Sequence, residues 1–263
     1  MALDFQYGSG ISKAIRDLLL CRVKLVGAAS IGAEEVTIAG AEDRDYPGNR
    51  FFLNYTTAAT LVQPTSADTP TGITHQENVT IDAASTYTDN LVGTTIALTG
   101  AITKAYNTSA YIRPATLPAA CSGLKFIDND FIPSLNFAPK DEWFPGAIVT
   151  RMGMVQEMTT AAGVITFRYH FRVYYCDILQ EDRNNADTLW DAAEVLRDLI
   201  MEDNYLAGTV LESEVMDLLP WYSTEITQRG FNFVTATHLL PVGWMQFDIM
   251  AERKGAWAKH GVV

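Results

Sequence analysis

Positively charged side chains are scarce in this sequence. Its 263 residues contain 19 Lys and Arg against 31 Asp and Glu, which gives a formal net charge of −12. Proteins that hold a phosphate backbone need clustered Lys and Arg, so this balance argues against a chain that grips nucleic acid. Charged residues make up 19% of the chain, below the roughly 25% of an ordinary soluble domain. This low fraction favours a surface that neighbouring subunits partly cover.

Cysteines and long apolar runs are also few. Cys21, Cys121 and Cys176 are odd in number and form no CxxC pair, which predicts free thiols in a reducing cytoplasm. No apolar run approaches the roughly 18 residues that span a bilayer. Residues 1–5 lack the basic and apolar segments of a secretory signal. We therefore expect neither a disulfide framework nor a membrane partner.

Motifs for catalysis and metal binding are absent. His75, His170, His238 and His260 form no HExxH pattern, and the chain has no GxSxG, GxxxxGK[ST] or helix-opening GxGxxG motif. The cysteines lack metal-ligand spacing. Residues 128–130 form an oxygen-rich turn without the closing Glu of a calcium loop. These absences predict a protein that is not an enzyme and that uses no cofactor and no metal.

Two stretches have the apolar spacing of amphipathic helices. The first has the apolar residues Ile11, Ile15, Leu18 and Leu19. Ser9 or Ser12 is its expected N-cap, and the helix is expected to end between Arg22 and Val26. The second has the apolar residues Leu189, Ala192, Ala193, Leu196, Leu199 and Ile200. Residues 204–208 are expected to end this second helix.

Residues 27–123 differ in composition from the rest of the chain, because they are rich in Thr, Ala and Gly. Short β-prone runs alternate there with turn signals such as Asp89-Asn90. The runs are Glu35–Ile38, Arg50–Tyr55, Thr60–Gln63, Asn78–Ile81, Thr94–Thr99 and Ala110–Arg113. Several short strands at this spacing predict an inserted all-β domain, a small barrel or a sandwich.

Strands dominate the carboxyl-terminal half. Ala147–Met158 and Val164–Cys176 are predicted to form a long hairpin. Phe167, Tyr169, Phe171, Val173 and Tyr175 point to one side of its second arm, and Thr166, Arg168, His170, Arg172 and Tyr174 to the other. Further strands are predicted at Thr209–Leu218, Phe231–Thr237 and Val242–Ala251. The fold class is therefore α+β: two helices pack on an antiparallel sheet built from residues 1–26 and 124–263, and residues 27–123 interrupt it.

The basic residues of the hairpin are the candidate interaction residues. Arg168, His170 and Arg172 share one strand face, and Arg151 is expected on the neighbouring strand. They form either a small basic patch for an acidic partner or a set of cross-strand or inter-subunit ion pairs. In an acidic protein the ion pairs are favoured.

Four segments, in the order in which they occur along the chain, resemble those of a known protein family. An aromatic strand, Phe167–Val173, leads through Asp187–Ile200 and the turn Asn204–Val210 to a late strand, Trp244–Met250. This order resembles the tail-terminator (tail-completion) family of tailed bacteriophages. Residue Ala207 stands at the first glycine-like position of the turn. The resemblance covers residues 1–26 and 124–254 and leaves out the β-rich insertion, which small terminators lack.

The resemblance implies a structural virion protein that assembles in the host cytoplasm. Members of the tail-terminator family form a ring, most often a hexamer. The ring caps the tail tube and docks the head-side connector or stopper at the neck. DNA passes through the lumen without specific binding, and an acidic lumen repels phosphate. Arg151, Arg168, His170 and Arg172 are the candidate lumen or inter-subunit face. Residues 27–123 are the candidate contact with capsid, collar or sheath.

Two other hypotheses about function remain open. In the first, the chain is a head–tail stopper or adaptor, or a tail-tube protein with a decoration domain. In the second, which belongs to a different functional class, it is a carbohydrate-binding β module. Sugar sites use exposed aromatic platforms, and all five Trp residues lie outside residues 27–123. These are Trp143, Trp190, Trp221, Trp244 and Trp257. Tyrosines such as Tyr55 and Tyr87 keep this last reading open.

Overall fold

The structure is a computed structural model that combines helices and mostly antiparallel strands, as the α+β prediction requires. It describes residues 8–38, 57–65, 72–82, 88–90, 93–126, 144–159, 164–178, 185–202, 206, 212–215, 219–220, 233–234, 239–240 and 242–254. The described residues include two helices, α1, Gly8–Leu19, and α2, Asn185–Glu202. Neither has the length and apolar character needed to cross a membrane, and the described residues contain no other helix that does.

Fifteen strands complete the described part of the chain. The first seven are β1 (Val23–Lys24), β2 (Glu35–Ile38), β3 (Ala58–Pro64), β4 (Ile73–Thr80), β5 (Thr88–Asn90), β6 (Gly93–Ala97) and β7 (Tyr111–Pro114). The others are β8 (Lys125–Phe126), β9 (Gly146–Thr159), β10 (Val164–Ile178), β11 (Glu212–Val215), β12 (Leu219–Pro220), β13 (Phe233–Val234), β14 (Leu239–Leu240) and β15 (Val242–Lys254).

Helix α1 has the predicted apolar stripe. Ile11, Ile15 and Leu19 are fully buried, because residues spaced by four or eight lie on one helix face. The predicted N-caps are wrong. The helix already includes Gly8, so Ser9 and Ser12 lie inside its first turns instead of before them.

The end of α1 is a Schellman motif, which stops the helix slightly earlier than predicted. Cys21 adopts the left-handed conformation, with φ of 53°. Its N–H donates to the Leu18 carbonyl at 2.8 Å, and the Arg22 N–H donates to the Asp17 carbonyl at 2.9 Å. The side chains of Arg22 and Asp17 also form an ion pair, with Nε and Oδ1 2.6 Å apart. The left-handed residue turns the chain away, so the helix cannot continue to residue 22.

The predicted long hairpin is confirmed and lies at the centre of the largest sheet. That sheet has the order β11-β15-β10-β9-β8, and β12 also pairs with β15. Its pairs are antiparallel except for the short parallel pair of β8 and β9. The predicted alternation in β10 is confirmed from Tyr169 to Val173, whereas Tyr174, predicted on the other side, is buried together with Tyr175. Helix α1 packs against β9, and α2 packs against β10 and β15.

The later strands are described only in part. Of the predicted strand at residues 209–218, the described residues are those of β11, and β12 follows this range; both pair with β15. Of the predicted strand at residues 231–237, the described residues are those of β13, which pairs with β14. The last strand reaches Lys254, beyond the predicted Ala251, because Thr166 and Phe167 of β10 supply partners for Lys254 and Arg253.

Strands β1 to β7 form two open sheets, with orders β1-β7-β3-β4 and β2-β6-β5. Five of the six predicted β-prone runs overlap these strands, and Arg50–Tyr55 lies outside the described residues. The turn predicted at Asp89-Asn90 is wrong, because both residues belong to β5 and pair with Thr94 and Gly93. Within the described ranges these strands form no closed barrel.

Polar side chains of β3 and β4 form hydrogen bonds with the segment that precedes β7. The Glu77 carboxylate accepts hydrogen bonds from the N–H and hydroxyl of Thr103 at 2.9 and 2.5 Å. Burial raises the pKa of Glu77, but the hydrogen bonds outweigh it and leave the pKa below its ordinary value. The buried Gln63 amide donates to Asn107 Oδ1 at 3.0 Å and accepts from the Asn107 N–H at 2.9 Å. These bonds satisfy the polar groups of a segment that has few regular ladder partners.

Leu196 tests the packing of α2. Its side chain is fully buried, so Leu196→Asp places an unpaired charge in the core. We expect the free energy of unfolding to fall by about 3–5 kcal/mol in urea denaturation. Glu194→Ala is the control on the exposed side of the same helix, and we expect a change within about 0.5 kcal/mol. Equal stabilities of Leu196→Asp and wild type would show that this helix face is assigned wrongly.

Candidate inter-subunit face

The outward side of β10 and β15 carries a row of charged side chains, which we call the ion-pair face. It consists of Arg168, His170 and Arg172 from β10 and Asp248 and Glu252 from β15. Arg168 lies directly opposite Glu252, and Arg172 directly opposite Asp248. Residues that face each other on neighbouring antiparallel strands project to the same side, so these charges meet.

Asp248 is the centre of the ion-pair face. Its carboxylate accepts a fork of hydrogen bonds from Arg172, from Nε at 2.5 Å and from Nη2 at 2.7 Å. His170 Nε2 lies 2.9 Å from the second oxygen. Burial alone raises the pKa of Asp248, yet the bonds from Arg172 and His170 prevail and hold it below its ordinary value. Bonds to Asp248 in turn raise the pKa of Arg172. Such a bidentate pair fixes orientation as well as charge.

The second pair of the ion-pair face is more open to solvent. Arg168 Nε donates to Glu252 Oε1 at 2.9 Å, and Arg168 Nη2 contacts the same oxygen. The two side chains are 40% and 30% exposed, against 26% and 17% for Arg172 and Asp248. Solvent screening weakens exposed pairs. The two arginines and two carboxylates cancel in formal charge, so the face favours the predicted cross-strand ion pairs over a basic patch.

Arg151 does not join the ion-pair face. It lies on β9, the neighbouring strand, as predicted, but it is paired with Phe171. A β-bulge between His170 and Phe171 makes Met152 an extra residue and shifts the register. The Arg151 guanidinium lies over the ring of Tyr169, with its carbon 6.0 Å from the ring centroid. The structure thus gathers three of the four predicted residues and puts Arg151 on the other side of the sheet.

The exposed apolar side chains of β9 were not predicted from the sequence. Met154 lies opposite Tyr169 and Val155 opposite Arg168, so these two project to opposite faces of the sheet beside its edge. Met152, Met154 and Val155 are 43%, 46% and 58% exposed. They are three of the six large apolar side chains that the described residues expose. In the described part of the chain, the outer edge of β9 has a partner only at Gly146 and Ala147, where β8 pairs with it. We call this free edge and its three side chains the β9 edge patch.

Helix α2 presents a stripe of carboxylates on its outer face. The acids Asp187, Asp191, Glu194 and Asp198 are spaced by four, three and four residues, which places them on one side of a helix. The first three are exposed, and the Asp198 side chain is 50% exposed. Arg197 Nη2 lies 2.8 Å from Asp198 Oδ1. The four acidic positions lie outside the buried apolar stripe of α2.

Comparison with known proteins adds no relative, because no protein-family model matches the chain and a search of the curated proteins found no match. Among the described residues, no three His, Cys, Asp or Glu side chains are grouped so that they could hold a metal ion. Residues 128–130, the oxygen-rich turn of the sequence, lie outside the described ranges.

Asp248→Asn tests the centre of the ion-pair face. This change keeps the shape but removes the charge that Arg172 and His170 contact, and we expect a loss of about 1–2 kcal/mol near pH 7. Because the folded pKa of Asp248 is lowered, its contribution is present above the ordinary pKa of about 3.9 and is lost as the pH falls through the folded value. The gap between variant and wild type should therefore shrink on acidification.

Urea denaturation near pH 7 and near pH 3 measures that gap. Glu252→Gln is the matched control, and its more exposed pair should contribute only about 0–1 kcal/mol near pH 7. A gap for Asp248→Asn that is equally large at both pH values would contradict the assigned role of the Asp248 charge.

Proposed function

We propose that this protein is a structural virion protein of a tailed bacteriophage, a ring-forming tail terminator at the neck. In this role it caps the tail tube, joins it to the head-side connector or stopper, and lets DNA pass through its lumen. The observation that carries the proposal is the β9 edge patch, which has the character of a surface built for assembly.

An exposed strand edge attracts other strands, because its N–H and C=O groups lack partners. Proteins that stay monomeric protect such edges with charges, proline or very short strands. Strand β9 has 14 residues, and its exposed edge carries Met152, Met154 and Val155. Long, apolar and open edges of this kind mark interaction sites. We assign the β9 edge patch to contact with a second copy of the chain.

A ring follows if the contact joins two different surfaces of neighbouring copies, since such contacts close into rings when the rotation allows it. The terminator resemblance gives six as the expected number of subunits. Buried subunit contacts also account for the low charged fraction of 19%. Tail-tube protein on one side and the head-side connector on the other are the expected partners of the ring.

The charges of the described surfaces suit a passage for DNA. The ion-pair face is formally neutral when His170 is neutral, and the outer face of α2 is acidic. Neither surface has the cluster of free cations that retains a phosphate backbone. Carboxylates repel DNA, so a lumen bordered by such surfaces lets it slide without holding it.

We also propose that residues 27–123 form an inserted β domain that faces outward. Strands β2 to β7, together with β1 just before this segment, pair only among themselves in the described part of the chain, and so do β8 to β15. Two open sheets within one segment suit a small sandwich. Capsid, collar or sheath are the proposed contacts of this domain.

Met154→Lys tests assembly through the β9 edge patch. A charge at this exposed position should leave the fold intact but weaken the contact between copies, because it must be desolvated there. We expect wild type to run as a discrete ring in native mass spectrometry and Met154→Lys to shift toward monomer by at least about tenfold in dissociation constant.

Met201→Lys is the matched control, since Met201 on α2 is 56% exposed and lies outside the patch. It should assemble like wild type. A wild-type chain that is monomeric at micromolar concentrations and does not bind tail-tube protein would overturn the proposed function. Rings formed equally well by Met154→Lys would remove the β9 edge patch from the interface.

A further inference from the structure

Cys21 and Cys121 meet in the core although they lie one hundred positions apart. Their sulfurs are 3.0 Å apart, with the Cys21 thiol donating a hydrogen bond to Cys121. The two residues are 1% and 2% exposed, and both thiols are free. The third cysteine, Cys176, is fully buried elsewhere, with its sulfur 3.5 Å from the Gly146 carbonyl oxygen.

Fixed backbone holds both members of the pair in place. Cys21 occupies the left-handed position of the Schellman motif that ends α1, where glycine is the usual residue. Cys121 lies in a tight turn, and its N–H donates to the Pro118 carbonyl at 2.9 Å. Gly123, with φ of 79°, completes that turn. The sulfurs are therefore set in position by two rigid turns.

The pair also lies where the chain enters and leaves the β-rich segment. Cys21 comes just before β1, and Cys121 follows β7 and precedes β8. Strands β1 and β7 pair with each other, Val23 with Ile112 and Lys24 with Tyr111. A bond between the two sulfurs would thus join the base of this segment to the end of α1.

We propose that Cys21 and Cys121 form an intramolecular disulfide when the protein meets a disulfide oxidant such as glutathione disulfide. A thiolate of the pair attacks one sulfur of glutathione disulfide, which breaks its S–S bond and releases one glutathione thiolate. The second cysteine thiolate then attacks the protein sulfur of the mixed disulfide and releases the second glutathione thiolate. The two protein thiols lose two protons and two electrons in total, and the oxidant gains them and leaves as two glutathione thiols. This inference is independent of the proposed function.

The surroundings of the pair determine how fast and how selectively the bond forms. The thiol–thiol hydrogen bond, followed by burial, raises the pKa of Cys21, and the attacking species is the thiolate. Oxidation of the folded chain is therefore slow. The sulfurs must move about 1 Å closer to reach the roughly 2.05 Å of a disulfide. Cys176 is fully buried and its sulfur contacts the Gly146 carbonyl oxygen instead of a second thiol, so this residue should stay reduced.

The experiment oxidises the purified, reduced full chain with glutathione disulfide and follows its intact mass. We expect a product lighter by two hydrogens, without a glutathione adduct, and a peptide map that links Cys21 to Cys121. The closed loop restricts the unfolded chain, so the melting temperature should rise on the order of 5–10 °C and return after reduction with dithiothreitol.

Two variants make the result decisive. Cys176→Ser keeps the pair and should show the same link and the same rise, whereas Cys121→Ser should show neither. If Cys121→Ser does not fold, Cys176→Ser alone still decides the outcome. A link through Cys176, or a folded Cys176→Ser chain that forms no internal disulfide while its urea-unfolded form does, would overturn the proposal.

Discussion

The burial of one side of β10 is the constraint on which the rest of the structure depends. This strand pairs with β9 on one side and β15 on the other, and Phe171 and Val173 on its inner side are fully buried. Side chains alternate along a strand, so a slip of one residue would turn Arg172 into the core and Phe171 out of it. The burial therefore fixes the register, and the register creates the pairs of the ion-pair face.

The spacing of apolar residues was enough to predict a helix or strand wherever burial of one face of that element determines its position. The alternation of residues 167–175 predicted the hairpin, and the spacing of Leu196 with its apolar neighbours predicted α2. Contacts between distant residues could not be predicted in this way. The partner of Arg172 is Asp248, and only the register of two strands brings them together. The bulge at Met152, which separates Arg151 from the other arginines, has no signature in residue type either.

Three surfaces of the protein differ in charge and polarity, and the chemistry of each follows from its position in the fold. The ion-pair face lies on the outer side of the central strands, where cross-strand neighbours neutralise each other. The acids of α2 point away from the core that its apolar stripe joins. The β9 edge patch occurs where strand pairing ends in the described part of the chain. Together they give an apolar strand edge beside charged surfaces, which is compatible with the proposed ring.

The pairing of β1 with β7 has a consequence for the order of folding. Helix α1 and strand β9 belong to one core but are separated by more than a hundred residues, and closing so long a loop is entropically unfavourable. Pairing Val23 with Ile112 shortens the chain that must be closed, which recovers about 1 kcal/mol of loop-closure entropy. Once β1 and β7 have paired, a shorter loop separates α1 from the sheet on which it packs.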